Sequence, residues 1–180
     1  MMLAANLYHM VTPSPYRSLP PDRRVALVVH AIKASPEGRA IFVQRLVVRG
    51  GFRPTTLQQW PAEKLAAEIV RTKAESSNDE LDLLHLLYVQ LEPAIQITFL
   101  DAAGVKHQGG AMAEDLTSPY ADAPSVERAA AKVREHHGED GMRYLRTLAR
   151  YSRDDWPGIQ NQVTRLETQP SADRTASTAR

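Results

Sequence analysis

The sequence predicts an all-α, single-domain protein, an irregular bundle of about six helices around a buried central helix. Three observations predict it: apolar residues recur at helical spacing, proline or N-cap residues precede the apolar runs, and glycines follow them. A chain of 180 residues that is 43% hydrophobic can bury one core. We expect an irregular N-terminal arm over residues 1–19, a helical domain over 20–159, and a disordered polar tail over 160–180.

The central helix is predicted over residues 78–104. Its apolar residues recur at steps of three and four, and further leucines widen this face until the helix should be buried around most of its circumference. Asn78 is the expected N-cap, and Gly104 the expected left-handed end. Pro93 lacks an N–H group, so the helix must kink or restart there. The residues of the predicted buried face are Leu81, Leu84, Tyr88, Leu91 and Ile95.

The same stretch carries a narrow polar line, formed by Asp82, His85, Glu92 and Gln96. One interpretation is a weak catalytic candidate, in which Asp82 orients the His85 ring and Glu92 supplies a second carboxylate. The other is the solvent-facing edge of a mostly buried helix. The second interpretation is favoured, because acid–base and metal sites need groups that converge from several elements.

Two helices are predicted before the central one, over residues 20–34 and 36–49. Proline followed by Asp22 is typical of a helix start, and Ser35 before Pro36 is a second such start. The alternative is an α+β fold with a β-hairpin over residues 24–49, because this stretch is rich in β-branched residues. The paired start signals favour the helices.

The second of these helices carries an arginine ridge. Arg39, Arg45 and Arg49 fall within one third of its circumference, and Arg53 follows in the loop. These four arginines are the predicted partner-binding residues, for phosphate or an acidic protein surface. The alternative is that the ridge is solvated, or docks on the acidic middle of this same chain.

Three more helices are predicted, over residues 61–74, 124–137 and 139–151, with Gly138 ending the second of them. A long linker over residues 105–123 carries His107 beside a glycine pair, and this histidine is a further weak catalytic candidate because loops often carry function.

Charge is unevenly distributed, although the formal net charge is only +1. Residues 17–53 carry eight basic against two acidic groups, and residues 128–180 carry ten against seven. Residues 54–127 carry four basic against twelve acidic groups. Such asymmetry indicates a charged protein partner or self-association, whereas a nucleic-acid partner is disfavoured because nucleic-acid binders are usually basic overall.

The chain has no cysteine, which excludes disulfides, cysteine nucleophiles and thiolate metal sites. GxSxG, Walker A, HExxH and EF-hand motifs are also absent. No signal peptide or membrane span is predicted, and we expect a cytoplasmic protein without metal or other cofactor. The favoured function is a non-enzymatic helical module for protein–protein interaction, assembly or regulation. An enzyme that uses Asp82, His85 and Glu92 is the alternative, and nucleic-acid association through the arginine ridge is a weaker one.

Overall fold

The computed structural model describes residues 14–168 and confirms the all-α class. Over these residues there are eight α-helices, one π-helical segment and a pair of two-residue strands. The helices are α1 Pro21–Ala34, α2 Pro36–Gly50, α3 Pro54–Gln58, α4 Ala62–Thr72, α5 Ser77–His85, α6 Pro93–Ala103, α7 Ala123–Tyr151 and α8 Ile159–Thr168. The π-helical segment is Leu86–Leu91, and the strands are β1 His107–Gln108 and β2 Ala111–Met112. One hydrophobic core runs from Tyr16 to Leu166.

Residues 24–49 are helical, so the alternative β-hairpin is wrong. The Ser35 hydroxyl accepts a hydrogen bond from the Gly38 N–H group at 2.9 Å and caps α2, as the start signal predicted. In α1 the buried residues Leu27, Val28 and Ile32 recur at helical spacing. This spacing and the cap outweigh the β propensity of individual side chains.

The central stretch is two helices rather than one. α5 continues into the π-helical segment, Pro93 begins α6, and the two halves are bent by 82°. Ser76 caps α5 in place of the predicted Asn78, because its hydroxyl and the Asp79 carboxylate exchange the hydrogen bonds of a capping box. At the other end Gly104 is left-handed, and the N–H of Val105 bonds to the carbonyl of Leu100 at 2.9 Å, as in a Schellman motif.

The predicted buried face of this stretch is only partly correct. Leu84, Tyr88 and Ile95 are buried, but Leu81 is 37% exposed and Leu91 is 41% exposed. A π-helix inserts extra chain into the turn, so Leu91 at its end no longer continues the 3.6-residue spacing. Leu81 precedes this segment in α5, and the shift does not explain its exposure. The bend at Pro93 then turns α6 in a new direction.

No single helix within residues 14–168 has the length and apolar character needed to cross a membrane. α5 with its π-helical extension and α6 reach that length and apolar character only when they are taken together, across their 82° bend.

α7 joins the two helices predicted over residues 124–137 and 139–151. Gly138 lies between them with φ 54° and ψ −125°, a backbone conformation that residues with a Cβ atom strongly avoid. The kink lets both halves contact the core. The first half buries the small residues Val126, Ala129, Ala130 and Val133, and the second buries Met142 and Leu145.

The predicted disordered tail is wrong over residues 160–168, which form most of α8. Ile159, Val163 and Leu166 recur at steps of four and three and are buried, and α8 packs on α7. One apolar face of three residues is enough to dock a short helix, although the overall composition of the segment is polar. Residues 169–180, and residues 1–13 of the predicted arm, lie outside the described part of the chain.

The predicted linker after α6 contains a small antiparallel hairpin. His107 pairs with Met112 and Gln108 with Ala111. Gly109 and Gly110 form the turn and both have positive φ, as a two-residue hairpin turn requires. The amide of Gln96 on α6 donates to the Gly110 carbonyl at 2.8 Å, which attaches the hairpin to the central helices.

Candidate functional site

A groove of about 220 Å³ opens between the central helices, the small hairpin and the C-terminal half of α7. We call it the tyrosine groove, because four of the six tyrosines of the chain line it together with one of its two tryptophans. The aromatic residues that line it are Tyr88, Tyr120, Tyr144, Tyr151 and Trp156.

Ring contacts, most of them edge-to-face, hold four of the five aromatic side chains of this groove. The ring centres of Tyr88 and Tyr144 are 4.9 Å apart, and those of Tyr120 and Trp156 are 5.3 Å apart. Phe99 lies behind them in the core, 5.7 Å from Tyr144 and 4.9 Å from Trp156. The N–H group of Tyr120 also donates to the carbonyl of Asp155 at 3.0 Å. These contacts preorganise the groove before any ligand arrives.

Burial shifts the ionisation of two of these tyrosines. Burial raises the pKa of Tyr144 well above its usual value, and the neighbouring Tyr88 raises it further. The pKa of Tyr88 is also raised by burial, although the positive charge of Arg143 opposes part of that shift. Outside the groove, burial and then Glu75 raise the pKa of Tyr16, whose hydroxyl donates to that carboxylate at 2.8 Å.

We expect stability to fall as the pH rises above about 10, where phenols ionise in the unfolded chain. The three raised pKa values mean that the folded state holds protons that the unfolded state has released, so their contribution is complete below that pH and is lost above it. Denaturant unfolding followed at increasing pH measures the effect, and Tyr144→Phe should reduce its slope. Full ionisation of every tyrosine in protein that keeps its native circular dichroism would contradict this expectation.

The rim of the groove contains both polar and apolar side chains. His85, Gln96, Ser152 and Asp155 supply polar groups, and the apolar side chains of Leu81 and Met112, each 37% exposed, complete the rim. The hydroxyl of Tyr151 is buried and has no hydrogen-bond partner among the described residues. Among those residues no lysine or arginine lines the groove, so Asp155 is the carboxylate that sets its charge.

The four residues of the predicted polar line lie in three different places. His85 and Gln96 line the tyrosine groove, and Asp82 is exposed outside it. Glu92 instead forms an ion pair with Arg23 of α1. The π-helical segment and the restart at Pro93 lie between His85 and Gln96, so the four residues no longer share one helical face. In residues 14–168 no three histidine or carboxylate side chains are grouped to hold a metal ion.

His107, the other weak catalytic candidate, lies in the hairpin and not in the groove. Its Nε2 is 3.0 Å from a carboxylate oxygen of Asp101, and its Nδ1 accepts from the N–H group of Gly110 at 3.2 Å. Because Nδ1 accepts, Nε2 carries the proton donated to Asp101. Both ring nitrogens thus stabilise the hairpin, and only 12% of the side chain is exposed.

Three of the four predicted partner-binding arginines contact this chain itself. Arg39 donates to the carbonyl of Gln58 at the end of α3 and to that of Trp60 beyond it. Arg49 donates to the carbonyl of Lys73 at 2.9 Å, and Arg45 pairs with Asp79 at 2.8 Å. Arg53 is exposed, and its side chain contacts no partner within residues 14–168. Most of the ridge therefore docks on α3, α4 and α5.

The pKa of the Asp79 carboxyl group is shifted by its contact with Arg45. Burial alone would raise its pKa, but the hydrogen bonds from Arg45 and Ser76 outweigh burial and lower it. The ion pair between Arg45 and Asp79 therefore attaches α2 to the capping box of α5.

Sequence reasoning missed most of the groove. Tyr120 and Asp155 lie in segments without helical periodicity, and Tyr144 and Tyr151 fall inside the helix predicted over residues 139–151. The only sequence signal for Tyr144, Tyr151 and Trp156 is the density of tyrosine and tryptophan over residues 144–156.

Comparison with protein-family models, curated proteins and solved structures gave no match to this chain. The chemistry of the groove is therefore inferred from its own residues.

Proposed function

We propose that this chain is a non-enzymatic helical module for protein–protein interaction, and that the tyrosine groove binds a lysine or arginine side chain of the partner polypeptide. One observation carries the proposal: five aromatic side chains and the carboxylate of Asp155 line a groove to which the described residues contribute no lysine or arginine.

Aromatic rings attract cations, because the face of each ring carries partial negative charge. Such contacts contribute about 0.5–2 kcal/mol each, with the larger values where water is excluded. The ring of Tyr151 already has the guanidinium of Arg150 at 5.6 Å, a geometry suited to this attraction. Arg150 itself is exposed and does not line the groove.

The remaining groups of the groove suit the rest of a long cationic side chain. The apolar rim residues Leu81 and Met112 can cover its methylene stem. Asp155 can accept a charge-assisted hydrogen bond from its end, and no side-chain partner within the described range competes for this carboxylate. Aromatic anchors inside a polar rim are also the usual composition of the energetic centre of a protein interface.

The test uses Trp156 as a reporter. Trp60 lies away from the groove, against Phe52 and Lys64, so Trp60→Phe leaves Trp156 as the only tryptophan. We expect titration with a short oligolysine peptide to change Trp156 fluorescence in a saturable, salt-dependent way, and Asp155→Asn to weaken binding by about tenfold. An oligoglutamate peptide should give no change.

Asp154→Asn is the matched control, because the Asp154 side chain is 95% exposed and does not line the groove. It removes the same charge from the neighbouring position, so its effect should be small. The proposal is wrong if Trp156 does not respond to the peptide, or if the two asparagine variants weaken binding equally.

The other functions considered from the sequence have less support. Asp82, His85 and Glu92 do not converge, and three arginines of the predicted ridge contact this chain's own backbone or Asp79. A cytoplasmic location stays a prediction.

A further inference from the structure

The outward face of α2 is a second surface, one that residues 14–168 leave exposed. Glu37, Ile41, Gln44 and Val48 follow one another at steps of four, three and four, so they form one line along the helix. We call this line the α2 stripe. It lies opposite to Phe42 and Leu46, which α2 buries in the core.

Two apolar side chains of the α2 stripe are unusually exposed. Val48 is 71% exposed and Ile41 is 49% exposed, the two highest values for large apolar side chains in residues 14–168. Single exposed apolar residues are common on protein surfaces. Here the two are aligned on one helical face, two turns apart, and that alignment suits the packing of another helix.

Opposite charges flank the two ends of the stripe. Glu37 is in the first turn of α2, and Arg53 follows the left-handed Gly51 that ends it. Both are exposed, and within the described residues neither side chain has a hydrogen-bond or ion-pair partner. In this respect they differ from Arg39, Arg45 and Arg49, which contact other parts of the chain.

We infer that the α2 stripe is a self-association surface, on which two copies of this chain pair their α2 helices antiparallel about a two-fold axis between residues 44 and 45. In that register Ile41 of one copy faces Val48 of the other. Glu37 then lies at the C-terminal end of the second copy's α2, next to the loop that carries Arg53, and the symmetry repeats both contacts.

Charge complementarity is what favours a second copy over an unrelated partner. An antiparallel pair brings the acidic end of each stripe to the basic end of the other, whereas a parallel pair would place like charges together. The apolar area is small beside the roughly 800 Å² that each partner buries in a stable complex, so the dimer should be weak and depend on concentration.

Sedimentation equilibrium of the full chain tests this inference. We expect the weight-average mass to rise above the 20.0 kDa of one chain as concentration increases, and added salt to oppose the rise. Val48→Asp should abolish association. Because the Val48 side chain is so exposed, the Val48→Asp protein should keep the circular dichroism spectrum of the wild type.

A charge exchange identifies the register. Glu37→Arg and Arg53→Glu should each weaken association by about tenfold, because each places two like-charge pairs in the dimer. The double variant should restore the wild-type affinity. Asp155→Asn should leave the mass unchanged, which separates this surface from the tyrosine groove.

Three results would overturn the inference. The wild-type chain could stay at the mass of one copy at every concentration. Val48→Asp could associate as strongly as wild type, which would place the contact elsewhere. The double charge exchange could fail to restore association although each single change weakens it, which would exclude the antiparallel register.

Discussion

Replacing Phe99 by alanine is expected to lower the free energy of unfolding by about 4 kcal/mol. The Phe99 side chain is completely buried and lies between the rings of Tyr144 and Trp156. Its removal leaves a cavity beneath the tyrosine groove and takes away two edge-to-face contacts, neither of which the rigid neighbours can replace. Domains of this size are stable by only about 5–15 kcal/mol, so the variant should lose a large fraction of its stability.

Urea unfolding followed by circular dichroism measures this loss. Val48→Ala is the control, because Val48 is 71% exposed and its truncation should change the free energy of unfolding by less than about 0.5 kcal/mol. Near-identical urea midpoints for Phe99→Ala and Val48→Ala would show that the aromatic side chains are not packed as described.

Asp140→Ala should lower the free energy of unfolding by about 3 kcal/mol, although the Asp140 side chain is 44% exposed. Its carboxylate pairs with the guanidinium of Arg143, of which only 9% is exposed, and with that of Arg23 at 2.7 Å. Burial alone would lower the pKa of Arg23, but the hydrogen bonds that it donates to Asp140 and Glu92 raise that pKa, so the charged form is stabilised. Removing Asp140 takes this carboxylate away from the buried charge of Arg143. The hydrogen bond that Arg143 Nε donates to the Ser18 hydroxyl at 3.1 Å remains.

The double variant Asp140→Ala/Arg143→Met identifies the cause. If the stranded guanidinium is responsible, replacing it with an apolar chain of similar length should recover most of the lost stability. Asp154→Ala is the control, because that side chain is 95% exposed and its change should fall within about 0.5 kcal/mol of wild type. Equal losses in the Asp140 single and double variants would mean that the Arg143 charge is not what destabilises the chain.

Local signals predicted the helices well wherever neighbours in sequence make the stabilising contacts. The cap at Ser35 and the left-handed end at Gly104 each depend on hydrogen bonds within a few residues, and both are present. α8 was not predicted, because only three apolar residues at helical spacing occur in an otherwise polar segment. The phase shift of the π-helical segment was missed because helical periodicity was extended through it unchanged.

The groove itself was not predicted, although two polar residues noted on the central stretch line it. His85 and Gln96 stood out as polar residues in an apolar helix, and both line the groove. Tyr120, Tyr151 and Asp155 join them from distant segments. Their meeting depends on the bend at Pro93, the kink at Gly138 and the turn over residues 152–158.

Short-range chemistry in the chain was sufficient to establish a helical protein and the main points where helices start and stop, because caps, prolines and glycines act on their immediate neighbours. Which polar groups meet, and which arginines remain available to a partner, depended on how the helices pack. Arg45 and Arg53 look alike in the sequence, yet Arg45 pairs with Asp79 from another helix and Arg53 has no partner within residues 14–168. The energy of an ion pair depends on a separation in space, and contacts between distant segments set that separation.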